Sequence, residues 1–176
     1  KPYMIPDDIA ADLTVTARYA SHGRLFLPAN GLHVAVVEVD TDTGLIAIRR
    51  YLVVHDCGRL INPMLVAEQV RGGVVQGIGG VLYEEFVFDE AGSLCNGTMA
   101  DYLVPMAVEM PDIEVEHLET PTATSELGAK GAGEAGTTGT FGAILNAVND
   151  ALVPFDVTLS ETPLTPSRIL QALGKI

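Results

Sequence analysis

In the stretch Gly128–Gly139, "GAKGAGEAGTTG", the single carboxylate is Glu134 and the single cation is Lys130, four residues earlier. A segment this poor in side chains lets its backbone approach a flat surface closely, and the question is what one acid set among glycines does there. Three readings compete. The first is a phosphate cradle, because Gly131, Gly133 and Gly136 match G-x-G-x-x-G ahead of a helix N-terminus, where amides attract anions. That reading needs an apolar strand ending at the first glycine, and "TPTATSELGAK" is too polar for one. A P-loop needs Ser or Thr after its lysine, and Lys130 is followed by Gly131 and Ala132. The second reading is a tight loop whose glycines satisfy positive φ, with Glu134 exposed in the first helical turn. The third is catalytic, with the glycines clearing space for a flat cofactor and Glu134, screened from water, acting as base.

Other residues that could do chemistry are His55, Asp56 and Cys57. Consecutive strand residues point to opposite faces, so the three cannot all reach one metal, and a structural role is expected. Gly73-x-x-x-Gly77 resembles a membrane-dimerisation motif, but Glu68, Gln69 and Arg71 share its helix, so close packing in a soluble core is the better account.

The elements that would position these residues follow from periodicity. Alternation predicts strands over Asp12–Tyr19 and Leu32–Asp40, and "TDTG" predicts a hairpin of Leu32–Asp40 with Leu45–Val54. Asn62 can cap, and Pro63 can open, a helix through "MLVAEQVRGGVVQGIGGVLYEE". Each of its glycines costs about 0.8–1 kcal/mol against alanine, so a close-packed backbone or ligand must compensate. A second hairpin turning at Asp89–Gly92, a strand over Ile113–Thr120, a helix from Thr138 and a short helix opening at Thr165-Pro166 complete the pattern.

The whole chain bounds the answer further. Its 176 residues suit one domain or two small lobes sharing a core. Asp and Glu outnumber Lys and Arg 23 to 10, for a net charge of −13, which argues against nucleic acid and anionic membrane as partners. No run approaches the roughly 20 apolar residues of a membrane span. "KPYMIPDDIA" shows no secretory signal and reads as part of something longer. The two cysteines, Cys57 and Cys95, form no C-x-x-C pair, so a reducing cytoplasm is the expected setting. High apolarity, high acidity and abundant glycine together fit a piece buried against larger partners.

"INPMLVAEQVRGGVVQGIGGVLYEE", followed by "GAKGAGEAG" and "AILNAVNDAL", resembles the molybdenum hydroxylases: xanthine dehydrogenase, aldehyde oxidoreductase and aerobic carbon monoxide dehydrogenase. The resemblance runs from about Val34 to Leu152. It implies an α+β fold with β-hairpins and packed helices, residues 1–176 forming the second, C-terminal molybdopterin-binding domain of the large subunit. It implies that Glu134 is the base in an oxidation of an aldehyde, N-heterocycle or similar small molecule with water-derived oxygen. It further implies that Gln69 reaches a ligand oxygen of the metal or the pterin, with Gln76 as a second contact. The backbone of Lys130, Gly131, Ala132 and Gly133 would lie against the pterin. The cofactor would be molybdenum-molybdopterin, as such or as its cytosine dinucleotide. Two cysteines cannot ligate two iron-sulfur clusters, so those, and FAD, belong to partner chains, along with the other molybdopterin domain. Such a chain should not turn over alone. The alternatives are a cofactor-free scaffold subunit and a nucleotide-binding module.

Overall fold

A computed structural model describes residues 15–18 and 27–176. The first elements among the described residues are two antiparallel strands, β1 (Asn30–Val39) and β2 (Ile46–Asp56), as the alternating sequence predicts. The expected strand at Asp12–Tyr19 lies mostly outside the described residues, and Val15–Arg18 form no regular element.

The hairpin carries one irregularity. Its register shifts between Val36, opposite Arg50, and Val37, opposite Ile48, so Arg49 is an extra residue on β2. A bulge of this kind reverses which side chains face inward. Before it Ile46 and Ile48 point to the core, after it Tyr51 and Val53 do, and Arg49 and Arg50 are both exposed.

From β2 the chain enters helix α1 (Pro63–Leu82), opened as expected by Asn62, whose side chain accepts from the Leu65 amide. It returns to strand β3 (Ile113–His117), which pairs in parallel with β2 and gives the order β1-β2-β3. The expected second hairpin between them is reduced to a single bridge, Phe88 to Leu94, held at its tip by Asp89.

Helix α2 (Ala135–Leu152) starts three residues before the expected Thr138, and helix α3 (Pro166–Ala172) is capped by Thr165. The two long helices share one face of the sheet. Val70, Val74, Ile78 and Val81 of α1 and Ile144, Val148 and Leu152 of α2 form one core with Tyr51, Val53 and Ile113. The architecture is α+β, with helices and sheet as two layers.

Gly73, Gly77 and Gly80 of α1 find their compensation in α2, while Gly79 packs against Glu84 and Pro105 and Gly72 faces open space among the described residues. A Cβ on Gly73 would lie 2.9 Å from Gly136 Cα, one on Gly77 would lie 2.5 Å from Thr140 Cβ, and one on Gly80 would meet the Phe141 ring. Reciprocally, a Cβ on Gly136 would overlap the Val70 carbonyl. The opposite face of β1 is not covered by the described residues: Leu32, Val34 and Val36 are 62%, 43% and 50% exposed.

Candidate functional site

The carboxyl ends of β2 and β3 and the start of β1 lie at one edge of the sheet, and residues 128–134 fold across that edge. Asp56, the last residue of β2, organises the crossing. Its buried carboxylate accepts from the Gly58 amide (2.8 Å), the Thr120 amide (3.1 Å) and Lys130 Nζ (3.3 Å). Hydrogen bonds from Thr120 first, then from the Gly58 backbone, hold the Asp56 carboxyl well below the usual carboxylate range. The Lys130 amide meanwhile donates to the Cys57 carbonyl at 2.7 Å. The Asp56 carboxylate and the Cys57 carbonyl thus tie the crossing together, while His55 is buried beside His117. Among the described residues no three His, Cys, Asp or Glu side chains are arranged to hold a metal.

Beyond Lys130 the loop forms one wall of a cavity of about 470 Å³. Gly131, Ala132, Gly133 and Glu134 face it from one side, and Asn30, His33 and His55 from the other. Glu134 is the N-cap residue of α2 and is exposed. Its side chain makes no capping hydrogen bond, so the carboxylate is not committed to the helix it precedes.

The positive-φ reading accounts for little of this loop. Of the glycines in Gly128–Gly139 only Gly128 has positive φ, at 73°. Packing accounts for no more of Gly131 and Gly133. Among the described residues, a Cβ on Gly133 would meet nothing within 4 Å, and one on Gly131 only the Leu27 carbonyl at 3.7 Å. Neither backbone angle nor any neighbour among the described residues requires glycine at these positions, which open onto the cavity. That is the pattern of clearance kept for a ligand.

The remaining expected residues are placed as follows. Gln69, exposed on α1, donates its amide Nε2 to the Gly133 carbonyl at 2.8 Å, so it braces the cavity wall. Gln76 lies two turns farther along α1, where its Oε1 is 3.2 Å from the Thr137 hydroxyl, which also donates to the Gly73 carbonyl. Gln76 is thus on the α1–α2 seam and does not line the cavity. Of the loop amides, that of Lys130 bonds Cys57 and that of Gly131 bonds the Leu27 carbonyl at 3.3 Å. Among the described residues no protein acceptor meets the amides of Ala132 and Gly133.

One participant was not singled out in the sequence. His33 lies in the cavity wall, with Nε2 3.1 Å from the Ala135 carbonyl and Nδ1 2.9 Å from the Tyr51 hydroxyl. A lone histidine in an alternating strand carries no local signal of such a role; only the packing of α2 on β1 reveals it.

The nucleotide readings fail on this geometry, since the loop follows turns and a single bridge, Gly58 to Ala129, instead of a central strand. No helix among the described residues is long and apolar enough to cross a membrane.

Comparison with known proteins agrees with the geometry. A family model described as molybdopterin cofactor-binding domain matches residues 6–111. The large subunit of nicotine 6-hydroxylase from Paenarthrobacter nicotinovorans is 44% identical over 144 residues, covering 82% of this chain and 18% of that one. The carbon monoxide dehydrogenase large chain of Hydrogenophaga pseudoflava is 36% identical over 143 residues, covering 81% and 18%. The crystal structure of quinoline 2-oxidoreductase from Pseudomonas putida 86 superposes with a TM-score of 0.81 at 42% identity, over 84% of this chain and 19% of that one. The chain therefore spans about a fifth of the length of the proteins it matches. With a family match over more than half its residues, on a fold that keeps a ligand-sized clearance beside Glu134, the chain belongs to the molybdopterin cofactor-binding domain family.

Proposed function

We propose that the chain is the second, C-terminal molybdopterin-binding domain of a molybdenum hydroxylase large subunit, and that Glu134 is the general base of that enzyme. The carrying observation is the pair Gly131 and Gly133, glycines that neither conformation nor packing among the described residues demands, on the cavity wall beside an acid whose side chain makes no capping hydrogen bond. The residues present fit the cofactor. The amides of Ala132 and Gly133 would donate to pterin acceptors, and Gln69 would hold the wall that presents them through Gly133. When bound, the molybdenum group supplies the two-electron acceptor for the oxidation. The role of this chain is to hold the pterin edge, fix the loop and receive a proton at the Glu134 carboxylate.

Glu134 is exposed in this chain, and a base of this kind works best where water is excluded. The other molybdopterin domain of the large subunit would supply that cover. The apolar face of Leu32, Val34 and Val36 is read as a second surface that the remainder of the subunit packs against. Iron-sulfur and flavin subunits would carry electrons onward. The substrate is an aldehyde, an N-heterocycle or a similar small molecule, in keeping with relatives named for nicotine and quinoline.

The test is Glu134→Gln in the natively purified complex. Hydroxylation should fall by roughly 10²–10⁴-fold, the range for loss of a general base, with molybdenum content near that of the parent. Full turnover by this variant would remove Glu134 from the mechanism. Elemental analysis of the same complex should find molybdenum and iron, and their absence would favour a scaffold subunit.

A further inference from the structure

A chain of side-chain hydrogen bonds runs from the cavity to the first turn of α2. The Thr140 hydroxyl donates to the Gly136 carbonyl at 2.6 Å, which makes Thr140 Oγ1 an acceptor for Tyr51 at 3.0 Å. The single Tyr51 proton can be donated to Thr140 Oγ1 or, alternatively, to His33 Nδ1 at 2.9 Å, so the phenol links the two by serving one at a time. The far ring nitrogen, Nε2, faces a carbonyl that can only accept, so it must carry a proton and donate to Ala135. The bonded carbonyls, Ala135 and Gly136, are the two that immediately follow Glu134.

Packing holds the ring in this place. Tyr51 and Thr140 have no exposed surface, and the His33 ring stands edge-on to Tyr51 with centroids 5.9 Å apart. On the other side it lies against Gly139, where a Cβ would overlap the imidazole. Glycine at 139 is what admits the histidine against the helix backbone. Burial holds the His33 imidazole below its usual range, against the opposing bond to Ala135, so the neutral Nε2–H ring is the form to expect. Burial also pushes the Tyr51 phenol up to about 12, which keeps its proton in the chain.

We propose that His33 is a positioning residue for Glu134, clamping the first turn of α2 through Ala135 directly and through Tyr51 and Thr140 to Gly136. The proposal rests on the reading of Glu134 as the base. Helix termini fray most easily, and a base carried on the N-cap inherits any motion of the turn behind it. The clamp ties that turn to the central strand of the sheet, whose Tyr51 belongs to the main core.

The test uses the assembled, cofactor-loaded complex with His33→Leu, His33→Gln and Tyr51→Phe. Hydrogen exchange of the segment covering residues 132–141 reports the clamp without reference to turnover. In His33→Leu these amides should exchange about tenfold faster, the expected effect of one lost hydrogen bond. The same variant should lose roughly ten- to a hundredfold in kcat with KM within about twofold and molybdenum unchanged, the signature of a misplaced catalytic group. Glutamine can bring an amide N–H to the same carbonyl, so His33→Gln should restore both readouts most of the way. Unchanged exchange in His33→Leu, or no restoration by glutamine, overturns the proposal. If His33→Leu fails to assemble, Tyr51→Phe decides the matter, because it deletes one hydroxyl and must show a smaller increase in exchange and a smaller loss of kcat. Parental values in Tyr51→Phe then overturn the clamp. A fully active Glu134→Gln would remove the base and this proposal with it. An inactive Glu134→Gln beside unmoved exchange in His33→Leu would overturn the positioning alone.

Discussion

Glycine is used in two opposite ways in this molecule. Along the α1–α2 seam, Gly73, Gly77 and Gly136 are filled from outside by protein, each by a backbone or side-chain atom where a Cβ would stand. In the cavity wall, Gly131 and Gly133 leave the equivalent space clear of the described residues, and neither has positive φ. The seam glycines are explained by the fold; on the reading proposed above, the wall glycines are clearance for the cofactor. Composition alone cannot tell the two apart, because the distinguishing quantity is the distance from an absent Cβ to its nearest neighbour.

Substitution should separate the two regions, and Gly136→Ala has the largest expected effect. Its methyl would overlap the Val70 carbonyl and lie 2.7 Å from the Val74 amide, both rigid backbone of α1. A loss of about 3 kcal/mol, the upper end for overpacking, should lower the melting temperature of the subunit by several degrees. An unchanged melting curve would break the comparison at its seam side.

Asp56→Asn should follow, at about 1–3 kcal/mol, since it weakens three hydrogen bonds and leaves Lys130 buried without its counter-charge. The folded-state pKa of Asp56 lies below its unfolded value of about 4, so its contribution is complete above that pH and declines as pH falls through the folded value. The stability gap between parent and variant should therefore narrow below about pH 4 in denaturation at stepped pH. A gap that widens in acid contradicts the assignment.

Gly72→Ala is the control within α1. A Cβ there meets nothing within 4 Å among the described residues and the position is exposed, so the substitution should stabilise by roughly 0.5–1 kcal/mol in a urea titration. Gly133→Ala should move stability least, by less than about 0.5 kcal/mol, while lowering the molybdenum retained through purification. Parental molybdenum content in that variant would remove the case for clearance at the cavity wall.

Much of the fold was legible in the sequence because local pattern dictates it. The alternation of "LHVAVVEVD" gives β1, and Asn62-Pro63 opens α1 where capping chemistry places it. The parallel partnership of β2 with β3 was not legible, since nothing in "IEVEHLET" names the strand it joins. The second hairpin shrank to one bridge although its alternation is good, because a short exposed ladder has no face to bury. Of the site, Glu134 and the glycine wall stood out by residue type. Gln69 was picked out from the family resemblance as a ligand contact and is found bracing Gly133, and the His33 clamp depends on contacts between residues 102 and 18 apart in sequence.

The knot at Asp56 has a further consequence for how the domain can be handled. It joins residues separated by 64 and 74 positions in the chain, with α1 and β3 in the loops it closes, so its partners are supplied by distant parts of the domain. The cavity wall cannot be excised as a peptide or kept in a trimmed version lacking α1 or β3. A small molecule that fills this cavity would serve as a reporter of the intact domain, and its release on heating or dilution would register the unfolding of the whole.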